Sequence, residues 1–223
     1  MLPSPRLTDQ SSDKQRIFEI LAVVVTAIGK IIFMDLLNWR LPFILSVILF
    51  WTAYVIIRSR RSRGALRSWG FRTDNFKSTF FLVLPFAVVA VALCIAIGLW
   101  RNTLNITWHI LPVLILYPVW GVLQQFLVIA VVGGNLKKMK SVAIPFWIGI
   151  SLPAVLFGMV HYPYYWLVLG TFLLAMFYGF IYRRSPNVWV MGILHGWLGA
   201  IFFYTVVNRD PFVEVFKRFL INS

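Results

Sequence analysis

Ile110–Val132 reads ILPVLILYPVWGVLQQFLVIAVV, and no residue in it carries a charge. A helix needs about 20 apolar residues to cross roughly 30 Å of hydrocarbon, so this stretch reads as a membrane span. The two exceptions to its apolar character are adjacent, Gln124 and Gln125. A polar side chain in hydrocarbon is costly unless partnered, which makes intramembrane amides candidates for function.

Runs of the same kind recur on both sides. Spans are expected at Ile17–Leu37, Leu41–Ile57, Thr79–Trp100, Ile110–Val132, Val142–His161, Trp166–Tyr182 and Val188–Val207. Lys30, Asp35, Pro153 and Pro163 interrupt the first and the fifth-to-sixth of these. With 60% of residues apolar, 13% charged and a mean hydropathy of +0.82, the chain lacks the polar surface a soluble domain requires. The expected fold is an all-α polytopic membrane bundle of about seven spans. Residues 1–16 read as a disordered cytoplasmic leader without a cleavable signal peptide. Residues 17–207 read as one transmembrane domain, and 208–223 as a tail. In PFVEVFKRFL the tail places Phe212, Val215, Phe216 and Phe219 on one helical face, which suits a short interfacial helix.

The net charge of +14 lies between the spans, so it reads as topology and lipid contact. With the N-terminus inside, fifteen basic residues fall on the inner side and five on the outer. The expected partner is the lipid bilayer, not nucleic acid, and the expected setting is a bacterial plasma membrane with a cytoplasmic N-terminus. Cys94 is the single cysteine and reads as a packing residue.

Two further polar residues stand in apolar runs, His161 and His195. From Asn75 to Arg209 there is no Asp or Glu, so chemistry confined to that region must use histidines, amides or hydroxyls. Phe157 precedes His161 by one helical turn, and Gly192, Gly196 and Gly199 form a small-residue face beside His195 that suits close helix packing. Pro118 can begin a helix, and one starting there would bring Gln124 to the level of His161. His109, beside Trp108, suits a membrane interface. Two histidines without a third protein ligand do not make a zinc site, so neither a metal nor another cofactor is expected. Ser151 in GISLP is no nucleophile elbow.

Between Tyr117 and Ala200 the chain resembles the CAAX prenyl endopeptidase and bacteriocin-processing family, also called CPBP or Abi. That family carries Glu-Glu-x-x-x-Arg, then Phe-x-x-x-His, then His-x-x-x-Asn. The second motif is intact as Phe157 to His161. The third keeps His195 but has Gly199 where the family has Asn. In the first, Gln124 and Gln125 stand at the glutamate pair and Ile129 at the arginine. The resemblance implies intramembrane hydrolysis of a membrane protein or prenylated peptide. Glutamate would activate water, and histidines would hold the water and the oxyanion. It assigns Gln124 and Gln125 to the water-activating position and His161 and His195 to the other roles, supported by Phe157, Gly199 and Ile129. A glutamine keeps the shape of glutamate but accepts no proton at neutral pH. Three readings remain open. The first is a pseudoprotease that binds a partner helix or lipidated peptide, as an immunity or scaffold protein would. The second is a hydrolase using His161 or His195 as base. The third is a purely structural polar cluster.

Overall fold

The computed structural model describes residues 11–62 and 64–220, with side chains to residue 216. The leader expected at residues 1–10, and the side chains of Lys217, Arg218 and Phe219 in the expected interfacial helix, lie outside the described residues. Among the described residues all regular secondary structure is helical, and six helices are long and apolar enough to span a membrane. These are α1 (Asp13–Leu36), α2 (Arg40–Arg61), α3 (Phe76–Trp100), α4 (Ile110–Lys138), α6 (Tyr165–Arg184) and α7 (Val188–Val207). A shorter apolar helix, α5 (Ile148–Met159), stands between α4 and α6, and α8 (Pro211–Leu220) follows α7. The chain is an integral multi-pass membrane protein.

Three boundaries differ from the sequence reading. First, α1 begins at Asp13, capped by the Ser12 hydroxyl, so residues assigned to the leader are helical. Arg16 is only 2% exposed, and its guanidinium donates to Asn135 on α4. The Asn135 amide in turn donates to Glu19, so a buried polar chain joins α1 to α4. Second, α4 begins at Ile110 as the span reading has it, but it carries Pro118 inside and not at its start, and it runs on to Lys138. Third, α5 has 12 residues where a full span was expected. At 1.5 Å per residue it is about 18 Å long.

Proline without an N–H leaves the carbonyl four residues earlier unpaired. For Pro118 that carbonyl is Leu114, and the Trp197 indole of α7 donates to it at 3.1 Å. Neighbouring helices commonly repair prolines in this way inside membranes. The same two helices touch through glycine. A Cβ on Gly121 would lie 2.3 Å from the Gly192 carbonyl, and one on Gly196 would lie 2.5 Å from the Pro118 nitrogen. In their most apolar 18 residues α4 is 50% and α7 61% buried, against 11% for each of the first three spans, so this pair is the centre of the bundle.

Successive helices alternate in direction. One end gathers the starts of α1, α3, α5 and α7 with the basic ends of α2, α4 and α6. It is tied by Lys138 to the Ser68 carbonyl and by Asn187 to Arg72 and Asn75. The other end holds the finishes of α1, α3, α5 and α7. Here the last turns of α7 widen to π-helical spacing over Phe203–Val207. Carbonyls of Tyr204, Thr205 and Val206 are met by the Asn105 N–H, the Thr103 hydroxyl and the Arg101 guanidinium.

Candidate active site

The start of α7 sets the level of its histidine. Asn187 is fully buried, accepts the Val190 N–H at the helix start, and anchors that start to residues before α3. His195 follows two turns later, between Gly192 and Gly196. Because these glycines let the α4 backbone approach, His195 reaches α4, and its Nε2 lies 3.0 Å from Gln124 Oε1. An imidazole N–H donating to an amide oxygen leaves Nδ1 as a lone-pair acceptor. That Nδ1 is enclosed and has no partner among the described residues, in a side chain 8% exposed.

The short α5 brings the second histidine to the same place. His161 lies just past its end, inside the bundle, with Nδ1 donating to the Phe157 carbonyl at 2.7 Å. That bond leaves His161 Nε2 as its proton-accepting nitrogen. Phe157 stands between the two imidazoles, with its ring centroid 5.1 Å from His161 and 5.5 Å from His195. Thr171 on α6 completes the cluster, 3.4 Å from His161 Nδ1 while donating to the Leu167 carbonyl. The shortness of α5 thus resolves the difference in depth, without a helix break at Pro118.

Gln124, His161, Thr171 and His195 line one side of an apolar cavity of about 780 Å³. It occupies the half of the bundle away from the basic end, within the ~300–1,000 Å³ typical of ligand sites. Gly199 also lines it, and a Cβ there would meet nothing nearer than Tyr117 Cδ2 at 3.9 Å. Unlike Gly192 and Gly196, it is not a close-packing glycine, and it leaves open space. Gln125 does not join the site. It is fully buried outside the cavity, and neither amide atom has a partner among the described residues. Ile129 is buried too, facing a separate small cleft with Tyr182 and Arg183. Gln124 and Ile129 therefore face different spaces.

Sequence reasoning missed the charged groups. Asp35 and Glu214 lie outside the stretch without carboxylates, yet both line this cavity. Lys30 and Asp35 pair at 2.7 Å, and the Lys30 ammonium also donates to the Val160 carbonyl beside His161. Glu214 on α8 is held by Arg40 and Arg209 together. A clue was available, since Lys30 and Asp35 are charges inside an otherwise apolar run. Their destination was not readable, because it depends on helices far apart in sequence.

The arrangement provides a proton-accepting imidazole nitrogen, a second imidazole oriented by an amide, and an apolar chamber with ion pairs in its wall. It has no carboxylate at the Gln124 position. Compared with known proteins, residues 30–201 match the model of the type II CAAX prenyl endopeptidase Rce1-like family. No curated protein and no solved structure gives a significant match. The family match takes in the intact Phe157–His161 motif, His195, and most of the cavity wall from Lys30 onward. On that match, which covers well over half its length, the chain belongs to the Rce1-like type II CAAX prenyl endopeptidase family.

Proposed function

We propose that the cavity receives the apolar part of a membrane-embedded peptide, prenylated or otherwise lipidated, and holds it without hydrolysis by the glutamate route of the family. The observation that carries this is the Gln124–His195 hydrogen bond at 3.0 Å. An amide stands where the family resemblance puts its base and keeps the imidazole oriented, but it cannot take a proton from water. The chamber itself remains, apolar and large enough for a chain-like ligand. Positive-inside bias supports placing the basic end in the cytoplasm, and the cavity then lies in the outer half of the bilayer.

The test is equilibrium binding of a fluorescent farnesylated CAAX-type peptide to the protein in nanodiscs. Binding should saturate, and it should weaken when Gly199→Trp fills the chamber. Binding unaffected by that substitution would remove the cavity as the receptor.

One observation favours a second reading, hydrolysis with His161 as base. The Phe157 carbonyl holds the tautomer with Nε2 unprotonated, the form that takes a proton from water. That reading predicts cleavage by the wild type that is lost in His161→Ala.

A further inference from the structure

We infer that Arg40 and Arg209 form a receptor for the terminal carboxylate of the ligand, and that Glu214 of α8 occupies it in the unliganded protein. This rests on the cavity-binding reading above and adds which end of the ligand is recognised, and how the chamber is closed.

Among the described side chains, the charges lining the cavity are Lys30, Arg40 and Arg209 against Asp35 and Glu214. Lys30 and Asp35 satisfy each other. That leaves two guanidiniums on one carboxylate, one positive charge in excess among these side chains. Arg40 comes from the start of α2 and Arg209 from the turn after α7, yet both converge on Glu214. Arg40 uses a terminal nitrogen, and its enclosed Nε has no partner among the described residues. Guanidinium forks suit planar carboxylates, and a second contact through Nε would make the grip bidentate.

Glu214 is the only acid on α8 and stands beside Phe212, Val215 and Phe216, which also line the cavity. An apolar segment with a carboxylate at the mouth has the chemical outline of the proposed ligand. The receptor also adjoins the polar cluster. The Arg209 guanidinium lies 4.1 Å from the Tyr164 ring centroid, and the Tyr164 N–H donates to the His161 carbonyl. A chain anchored by its carboxylate at this mouth would run inward past His161.

Among the described side chains, α8 is attached by polar contacts at its first turn and by packing of Phe212 on Trp108 and His109. Asp210 accepts the Phe212 and Val213 N–H groups and the Tyr204 hydroxyl on one oxygen. Thr107 and His109 meet its other oxygen. Beyond that hinge, the ion pairs to Glu214 tie the helix to α2 and to the turn after α7. Exchange of Glu214 for a ligand carboxylate breaks and forms equivalent ion pairs, so the ion-pair part of the exchange is close to neutral.

The experiment compares two probes in phosphatidylcholine nanodiscs, a farnesylated peptide with a free C-terminal carboxylate and the same peptide as a C-terminal amide. The acid should bind about tenfold more tightly, the order expected of a charge-assisted contact. Arg40→Gln and Arg209→Gln should each reduce that preference to about twofold. Because the preference is a ratio within each variant, partial misfolding does not alter it. Glu214→Gln should raise affinity for the acid several-fold and speed labelling of Cys94, the one cysteine, which lines the cavity. Equal binding of acid and amide by the wild type would overturn the carboxylate receptor while leaving cavity binding intact. Failure of both probes to bind would overturn both readings. Displacement of the acid by phosphatidylglycerol, with no acid-over-amide preference, would assign the mouth to a lipid headgroup and refute the peptide carboxylate.

Discussion

Replacing Gly192 by alanine should break the site from a distance. A Cβ there would lie 2.3 Å from Val122 Cα and 2.6 Å from Val122 N, whereas ordinary contact begins near 3.4 Å. Both atoms belong to the α4 backbone, so no side chain can rotate away, and the helices must separate by about 1 Å. The Gln124–His195 contact of 3.0 Å then stretches to about 4 Å, past hydrogen-bond range. Overpacking of this kind costs ~1–3 kcal/mol, and loss of the hydrogen bond adds about 1 kcal/mol. Gly199→Ala is the matched control, two turns further along the same face of α7 and with only the 3.9 Å Tyr117 contact to meet. Its effect should stay within about 0.5 kcal/mol, as for other substitutions that meet no close contact. The assay is thermal unfolding in detergent, paired with nitrogen NMR of the histidine rings. Gly192→Ala should lower stability by roughly 2–4 kcal/mol and shift the His195 signals, leaving those of His161 in place. Equal stability of the two alanine variants, or an unchanged His195 spectrum in Gly192→Ala, would refute the argument that glycine contact sets the site geometry.

Three other outcomes follow from single contacts. Trp197→Phe removes the donor to the Leu114 carbonyl and should cost ~1–3 kcal/mol in thermal unfolding, while the same change at exposed Trp100 should cost nothing measurable. Lys30→Met alone should destabilise more than Lys30→Met with Asp35→Leu, because the single change leaves a charge stranded at the cavity wall. A double-mutant cycle should show coupling of about 1 kcal/mol, and simple additivity would dismiss the pair as a stabilising contact. Burial pushes the Asp210 carboxyl up, but hydrogen bonds from His109, Tyr204, the Val213 N–H and Thr107 outweigh it and hold its pKa below the usual value. A depressed pKa gives stabilisation that is present above ~3.9 and lost as pH falls through the folded value. Protection of the Phe212 and Val213 amides, relative to their intrinsic exchange rates, should therefore fall below about pH 4. Asp210→Asn should abolish that pH step, and an identical step in the variant would place the titration elsewhere.

Much of the bundle was legible because membrane spans are written in local composition. The expected Val188–Val207 coincides with α7, and Thr79–Trp100 falls within three residues of α3. The fifth span was overread. Its apolar run continues through loop residues 142–147, and nothing local distinguishes an exposed apolar loop from a helix in lipid. Gln124 and His195 stood out as polar groups in hydrocarbon, but which of two adjacent glutamines faced the cavity depended on the rotation of α4 against α7. Gly199 was grouped with Gly192 and Gly196 by spacing, although only the latter two touch a backbone. Asp35 and Glu214 escaped because their meeting at the cavity is a property of the fold, joining the first span to the tail.

The central claim is that the chamber keeps a peptide the family would cut. Mass spectrometry of a farnesylated CAAX-type peptide, incubated in excess protein in nanodiscs and then extracted, tests this most directly. The account predicts that bound peptide is recovered at its full mass from the wild type and from His161→Ala alike. Recovery of a shortened peptide from the wild type, and of the intact peptide from His161→Ala, would contradict it and establish a histidine-based hydrolase.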